Sequence, residues 1–220
     1  MTLTLEEREA IIEACRRNQA CAPEFSRLTR MKTDKGFIQV LADNLDWCNR
    51  KKIPIPTRVL ETFIKSKDEF VRKNVANSPL ATVPMLEQLS TDDDSLIRMY
   101  VAQNPNATPE LLEMLSHDLN TDVRRAAASN PNTPIATLEK LSKDGSEWVR
   151  LIASRSRNAT PNILEALSSD KDWAIRLSVA EHPNTPVDVI RKLEKDKAFL
   201  VARAAMHRMQ WDKFVYCQPK

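Results

Sequence analysis

The feature that most narrows the folds open to this chain is a dipeptide that keeps returning. A branched apolar residue followed by arginine stands at Val71-Arg72, Ile97-Arg98, Val123-Arg124, Val149-Arg150 and Ile175-Arg176, every 26 residues, and Val201-Ala202 falls on the next beat. A fixed period of this length marks a repeat architecture, in which each unit is a small supersecondary element that buries its apolar face only against copies of itself. With the Val or Ile as position zero, five full repeats span residues 71–200.

The interior of the unit reads as two helices. Small or branched apolar residues at position four (Val75, Val101, Ala127, Ala153, Val179) share a helical stripe with position zero. A breaker follows at positions seven and eight: Ser78-Pro79, Asn104-Pro105, Asn130-Pro131, Ser156-Arg157 and His182-Pro183. Proline disfavours helical geometry in the residue before it, so the first helix is short, about two and a half turns. Asn106, Asn132, Asn158 and Asn184 at position nine read as turn residues. Thr108-Pro109, Thr133-Pro134, Thr160-Pro161 and Thr185-Pro186 open the second helix, threonine as N-cap and proline at the first helical position; in the first repeat Val83 separates Thr82 from Pro84. The inner face of that helix is drawn by Leu86/Leu89, Leu112/Leu115, Leu138/Leu141, Leu164/Leu167 and Ile190/Leu193. These pairs stay in phase, so the one-residue difference between NPNATP and NPNTP is absorbed in the loop. An aspartate closes every unit (Asp92, Asp118, Asp144, Asp170, Asp196), and Asp94, Asn120, Ser146 and Asp172 are candidate caps for the next first helix.

Composition agrees with helices and excludes whole classes of function. The 220 residues include 2 glycines, Gly36 and Gly145, against 13 prolines. Phosphate-cradling loops and dinucleotide folds require glycine where the backbone takes positive φ or touches a ligand, and neither GxGxxG nor GxxxxGK[ST] is present. At 42% apolar and 29% charged, the chain is expected to be soluble and globular, and no stretch approaches the length of a membrane span. The first residues, MTLTLEEREAIIEACRR, carry early acids and do not read as a signal peptide, so the expected location is cytoplasmic. Cys15, Cys21, Cys48 and Cys217 form no C-x2-C pair and are read as reduced, packed thiols.

The expected fold is therefore all-α, an α-solenoid of two-helix repeats. Residues 1–52 do not follow the period and are read as a small helical N-terminal cap with helices near 5–18 and 36–48, separated by the turn-rich Cys21-Ala22-Pro23 and 32–35 segments. Residues 53–70 form a degenerate leading repeat around Val59, Leu60, Phe63 and Ile64. Residues 201–220 form a capping helix and tail, with Ala202, Met206, Met209, Trp211 and Phe214 as a terminal plug.

The pattern VRxxVAxNPxTPxxxLxxLxxD, clearest in VRRAAASNPNTPIATLEKLSKD from Val123 to Asp144, resembles the leucine-rich repeat variant family, over roughly residues 71–209. The resemblance implies a right-handed superhelix, of bacterial type, in which an α-helix alternates with a short helix of α or 3₁₀ type; the period here is somewhat longer than the family's usual one, which brings the unit closer to a HEAT-like pair of α-helices. It also implies an N-terminal iron–sulfur cluster held by cysteines. Cys15, Cys21 and Cys48, with Cys217 far off in sequence, do not reproduce a close cysteine cluster, so no metal or cofactor is expected.

Two readings of function follow. The invariant Arg72, Arg98, Arg124, Arg150 and Arg176, with the five closing aspartates, either line a groove for phosphates or pair with one another inside the repeat; residues repeated in every unit usually serve the unit. Recognition then belongs to the first-helix positions that vary, and Tyr100, Gln103, Arg125, Arg155 and Arg157 are the candidate surface for a protein or peptide partner. The alternative is nucleic-acid binding, as in HEAT-like glycosylases that remove alkylated bases, with Trp148 and Trp173 beside Asp172 or Asp122. Trp148 and Trp173 are equally read as covers for the seam between repeats. Charge disfavours the alternative: residues 1–70 carry +2, residues 71–200 carry −2 and residues 201–220 carry +3, with Arg203, Arg208, Lys213 and Lys220 as a basic tail. That balance lacks the basic face that phosphate binding uses. His117, His182 and His207 are dispersed, and no catalytic constellation is evident.

Overall fold

The computed structural model describes residues 3–18 and 33–216, with side chains at all of these except 34 and 210–216. Within them the chain forms fifteen helices and no strand. Cys21, Lys32, Cys217 and Lys220, and the side chains of Trp211, Lys213 and Phe214, lie outside what is described. The chain divides into two compact units, Met1–Thr108 and Pro109–Lys220.

The first unit begins with α1 (Leu5–Arg17), started by a capping box in which Thr4 accepts the Glu7 N–H and Glu7 accepts the Thr4 N–H. The expected helix over 36–48 is two: α2 (Asp34–Asp43) ends at Asn44, whose amide donates to the Val40 carbonyl at 2.9 Å, and α3 (Leu45–Arg50) follows. Lys52 ends α3 at φ 53°, the left-handed turn for which this glycine-poor chain uses lysine. Then come α4 (Thr57–Phe63), α5 (Glu69–Ala76), α6 (Val83–Leu89) and α7 (Ser95–Gln103). Helix α5 packs on α3 and α7, with α4 and α6 against it.

The second unit continues with α8 (Pro109–Leu115), α9 (Thr121–Ser129), α10 (Ile135–Leu141), α11 (Glu147–Arg155), α12 (Pro161–Leu167), α13 (Trp173–Glu181), α14 (Val187–Leu193) and α15 (Phe199–Tyr216). First helices stack on first helices, α9 on α11, α11 on α13 and α13 on α15, while α10, α12 and α14 pack against the first helices that flank them. The core is the expected pair of stripes: Ile175, Val179 and Val201 from first helices meet Leu164, Leu167, Ile190 and Leu193 from second helices. Each fully buried aliphatic side chain of this kind contributes about 1.5–3 kcal/mol.

Two further buried positions carry no strong sequence signal. Residues Met85, Leu111, Thr137, Ile163 and Val189, one before the first leucine of each second helix, are all at most 5% exposed. Ala76, Ala102, Ala128, Ser154 and Ala180 have no exposed surface. The last set is small because stacked first helices approach closely there: the Ser154 hydroxyl donates to the Ser178 hydroxyl of the next first helix at 2.9 Å.

The threonines that open the second helices do not act alike, and Thr82 stands at the N-cap of α6 without a side-chain bond. Thr160 caps α12 through the Ile163 N–H at 3.4 Å. Thr133 and Thr185 do not cap; they are buried one position earlier, and each hydroxyl donates at 2.6 Å to a carbonyl of the preceding first helix, Ala127 or Val179. In these loops Pro134 and Pro186 take the N-cap position. The same buried slot holds Ala81, Ala107 and Ala159 in the other repeats, so NPNTP trades an alanine for a threonine there and the loop has no residue fewer. Asp94, Asn120 and Asp172 cap their helices, while Ser146 occupies its cap position without a side-chain bond. At the chain's end Met209 packs on the core, but Met206 is 48% exposed and plugs nothing.

Candidate functional site

The repeated arginines are consumed locally. Arg72, Arg124, Arg150 and Arg176 each form a two-pronged bond, Nε to one oxygen and Nη2 to the other, with Asp92, Asp144, Asp170 and Asp196 respectively, at 2.6–3.1 Å. The remaining Nη1 donates to carbonyls of the loop before the helix, as Arg150 does to Asp144 at 2.9 Å and Arg98 does to Asp92 at 2.7 Å. The aspartate also accepts the N–H two residues on, as in Ser146 to Asp144 and Asp172 to Asp170. One guanidinium thus joins the loop entering its helix to the loop leaving the next one.

Burial pushes the Asp92, Asp144 and Asp170 carboxyls up, but the guanidinium bonds and the backbone N–H together outweigh it and hold all three below the usual carboxylate range. For Asp196 the Arg176 bond is the largest influence and the direction is the same. The paired arginines are raised, first by the aspartate hydrogen bond.

A second set of bonds links successive loops, and here sequence reasoning stopped short. The position-seven side chain faces both ways. Asn104 accepts the Asn106 N–H at 2.9 Å and donates to the Ala76 and Ser78 carbonyls at 2.6 and 2.9 Å. His182 does the same with a ring: Nδ1 accepts the Asn184 N–H at 3.1 Å and Nε2 faces the Ser156 carbonyl at 3.1 Å. Those partners assign the neutral tautomer with the proton on Nε2. Burial, followed by the charge of Arg208, depresses the His182 pKa against the opposing pull of the Ser156 carbonyl. Arg208, one period later, reaches back to the His182 and Pro183 carbonyls. The position-nine asparagines are staples as well as turn residues: Asn106 donates to Pro79 and Ala81, and Asn158 donates to Pro131 and Thr133. The recurrence of an amide at both positions was the available signal.

The candidate surface residues sort by position. Position six is exposed in every repeat, as Asn77 and Gln103 in the first unit and as Ser129, Arg155, Glu181 and His207 in the second. Position three is the stacking position: Asn74, Ala126 and Ser178 are buried, and Tyr100 is half-buried. Tyr100 and Gln103 belong to the first unit; Arg125, Arg155 and Arg157 belong to the second. Arg125 is exposed and pairs with Asp122 on its own helix at 3.0 Å. Arg155 and Arg157 line one open groove together with Ser129, Pro131, Ile152 and Ser156, of about 400 Å³.

The groups set aside for base chemistry are otherwise engaged. Asp172 caps α13 through the Ala174 N–H at 2.8 Å, and Asp122 is the partner of Arg125. Trp148 and Trp173 are 58% and 47% exposed, so each keeps about half of its surface in contact with solvent. Of the cysteines, Cys15 and Cys48 are buried free thiols; burial raises both, and burial with the neighbouring Cys15 pushes Cys48 up to about 12. Among the described residues no three His, Cys, Asp or Glu converge as a metal site requires. No helix among the described residues is long and apolar enough to cross a membrane.

Stacked helix pairs held by side chains that recur in each repeat define the class: an all-α helical-repeat protein of HEAT-like architecture. Residues 121–146 match the model of the family described as leucine rich repeat variant. A solved structure described as a leucine-rich repeat variant with a novel repetitive protein structural motif shares the fold, with a TM-score of 0.61 and 23% identity over 91% of this chain and 81% of that one. No curated protein matches the sequence.

Proposed function

We propose that the protein is a non-enzymatic scaffold that presents the variable positions of its first helices to a protein or peptide partner. The observation that carries this reading is a division of labour. The polar residues that recur, the Arg–Asp pairs and the Asn or His staples, spend their bonding capacity inside the repeats, while position six is exposed throughout and changes from repeat to repeat. The candidate contacts are Tyr100 and Gln103 in one unit and Arg125, Arg155 and Arg157 in the other. Supporting features for a right-handed solenoid with a 26-residue repeat, a cap over 1–52, repeats over 53–200 and a terminal helix over 201–220 are the sequence period and the shared fold. The cytoplasm is the proposed location, from the buried free thiols Cys15 and Cys48.

The test is capture of partners by the full chain and by variants carrying Gln103→Ala, Arg125→Ala and Arg155→Ala. Loss of a partner with an unchanged melting temperature supports the proposal; loss of stability assigns the residues to the fold. For nucleic acid, the measurement is a mobility shift at two salt concentrations, because phosphate neutralisation makes affinity fall steeply with salt. Salt-sensitive binding at physiological ionic strength would replace the present reading.

A further inference from the structure

The end of α11 is where the repeat departs from its own pattern. In the other full repeats of the second unit position seven is Asn130 or His182, each followed by proline. Here it is Ser156, followed by Arg157. The Ser156 hydroxyl accepts the Asn158 N–H at 3.3 Å, as an asparagine would, but it is too short to reach back to the preceding loop. The seam keeps the Asn158 staple and lacks the one that Asn104 and His182 make. A stabilising element has therefore been replaced by one that adds a second positive charge beside Arg155.

That charge is not neutralised from within. Among the described residues neither Arg155 nor Arg157 forms an ion pair, whereas Arg124, Arg150 and Arg176 are held by aspartates and Arg125 by Asp122. Arg155 ends α11 and Arg157 follows the extended Ser156 in the turn, and both residues line the same groove. Pro131 and Ile152 supply its apolar wall, and Ile152 is anchored on the small core of Ala128, Leu141 and Val149.

We infer that this groove binds a short acidic peptide segment, taking two carboxylates on the Arg155 and Arg157 forks and an apolar side chain between Pro131 and Ile152. The inference rests on the scaffold reading above and names the partner's chemistry at one part of that surface. Charge complementarity selects the occupant: two unpaired guanidiniums with a fixed fork match two carboxylates bidentately. A nucleic-acid backbone fits worse, because the flanking position-six residues are the neutral Ser129 and the acidic Glu181, so the position-six row continues the basic pair with no cation on either side. A volume of about 400 Å³ accommodates a few side chains and no more.

The experiment is fluorescence anisotropy of the full chain with a short labelled peptide of alternating glutamate and leucine. Controls are the glutamine-leucine peptide, a phosphoserine-leucine peptide and a single-stranded oligonucleotide. The expected result is saturable, salt-sensitive binding of the glutamate peptide alone, weakened at least about tenfold by Arg155→Glu with Arg157→Glu, and less by the double lysine replacement, which keeps charge and loses the fork. Circular dichroism melting of each variant separates lost binding from lost fold. Equal or tighter binding of the phosphopeptide or oligonucleotide overturns the carboxylate assignment, and so does glutamate-peptide affinity that the arginine variants leave unchanged. If the glutamate peptide fails to bind while Gln103→Ala or Arg125→Ala still abolishes partner capture, this inference falls and the scaffold reading stands. If neither occurs, both fall.

Discussion

The loops that follow α11 and α13, residues 156–160 and 182–185, close equivalent first helices with different chemistry. After α13, His182 accepts the turn N–H on one nitrogen and faces the Ser156 carbonyl with the other, and Thr185 donates to Val179 from a buried slot. After α11, Ser156 does only the first of these tasks, Ala159 fills the slot without a hydroxyl, and Arg155 and Arg157 line a groove. One loop is committed to the stack; the other gives up part of that bonding and gains an unpaired basic pair. A repeat protein can afford such a departure because each seam is a nearest-neighbour interface, and the others continue to hold.

The sharpest way to break this comparison uses two arginines on the same helix. Arg150 is a buried, fully bonded partner of Asp170, with side-chain exposures of 10% and 8%. Arg150→Ala is expected to destabilise the protein by about 3–5 kcal/mol, because it strands a buried carboxylate. Arg155→Ala, five residues on, should stay within about 0.5 kcal/mol. Urea unfolding of the two variants checks both; a cost at Arg155 comparable to that at Arg150 would erase the distinction.

Smaller effects sharpen the loop contrast itself. His182→Ala removes an acceptor and a donor at once and is expected to cost about 1–3 kcal/mol, whereas His182→Asn, which restores the pattern of Asn104, should recover most of it. Replacing Ser156-Arg157 by Asn-Pro should stabilise by about 0.5–1 kcal/mol and abolish acidic-peptide binding, since the extended ψ of Ser156 already suits a following proline. A melting temperature that falls instead would show that the loop cannot accept the consensus pair.

The mildest prediction is a pH profile. The Asp92, Asp144, Asp170 and Asp196 carboxyls have folded pKa values below their unfolded ones, so their stabilisation is complete above the unfolded carboxylate pKa of about 3.9 and is lost as pH falls through the lowered values. The His182 pKa is likewise depressed, so its contribution is complete above the unfolded value of about 6.5 and is lost as pH falls through the folded one. Thermal melts between neutral and mildly acidic pH should therefore show an early loss for the wild type that His182→Asn removes. The carboxylate loss, at lower pH, should survive in both.

The amino-acid sequence alone determined the all-α class, the two helices per repeat and the apolar stripes at Val71, Val75, Leu86, Leu89 and their successors. These depend on local propensity and on periodicity, which a linear text displays. It also singled out Arg155 and Arg157 as places where the repeat varies. Only the tertiary structure decided which atoms the recurring polar residues bond. A threonine before proline looks the same whether it caps a helix, like Thr160, or turns inward to a carbonyl, like Thr133. The asparagines that resembled turn punctuation are also staples, because the carbonyls they reach lie 25–28 residues away in sequence and become neighbours only on stacking. Tyr100 looked as variable as Gln103, yet one sits at the position where first helices stack and the other at the exposed one. Periodicity is written into the chain one residue at a time; contact between repeats exists only once the repeats have been brought together.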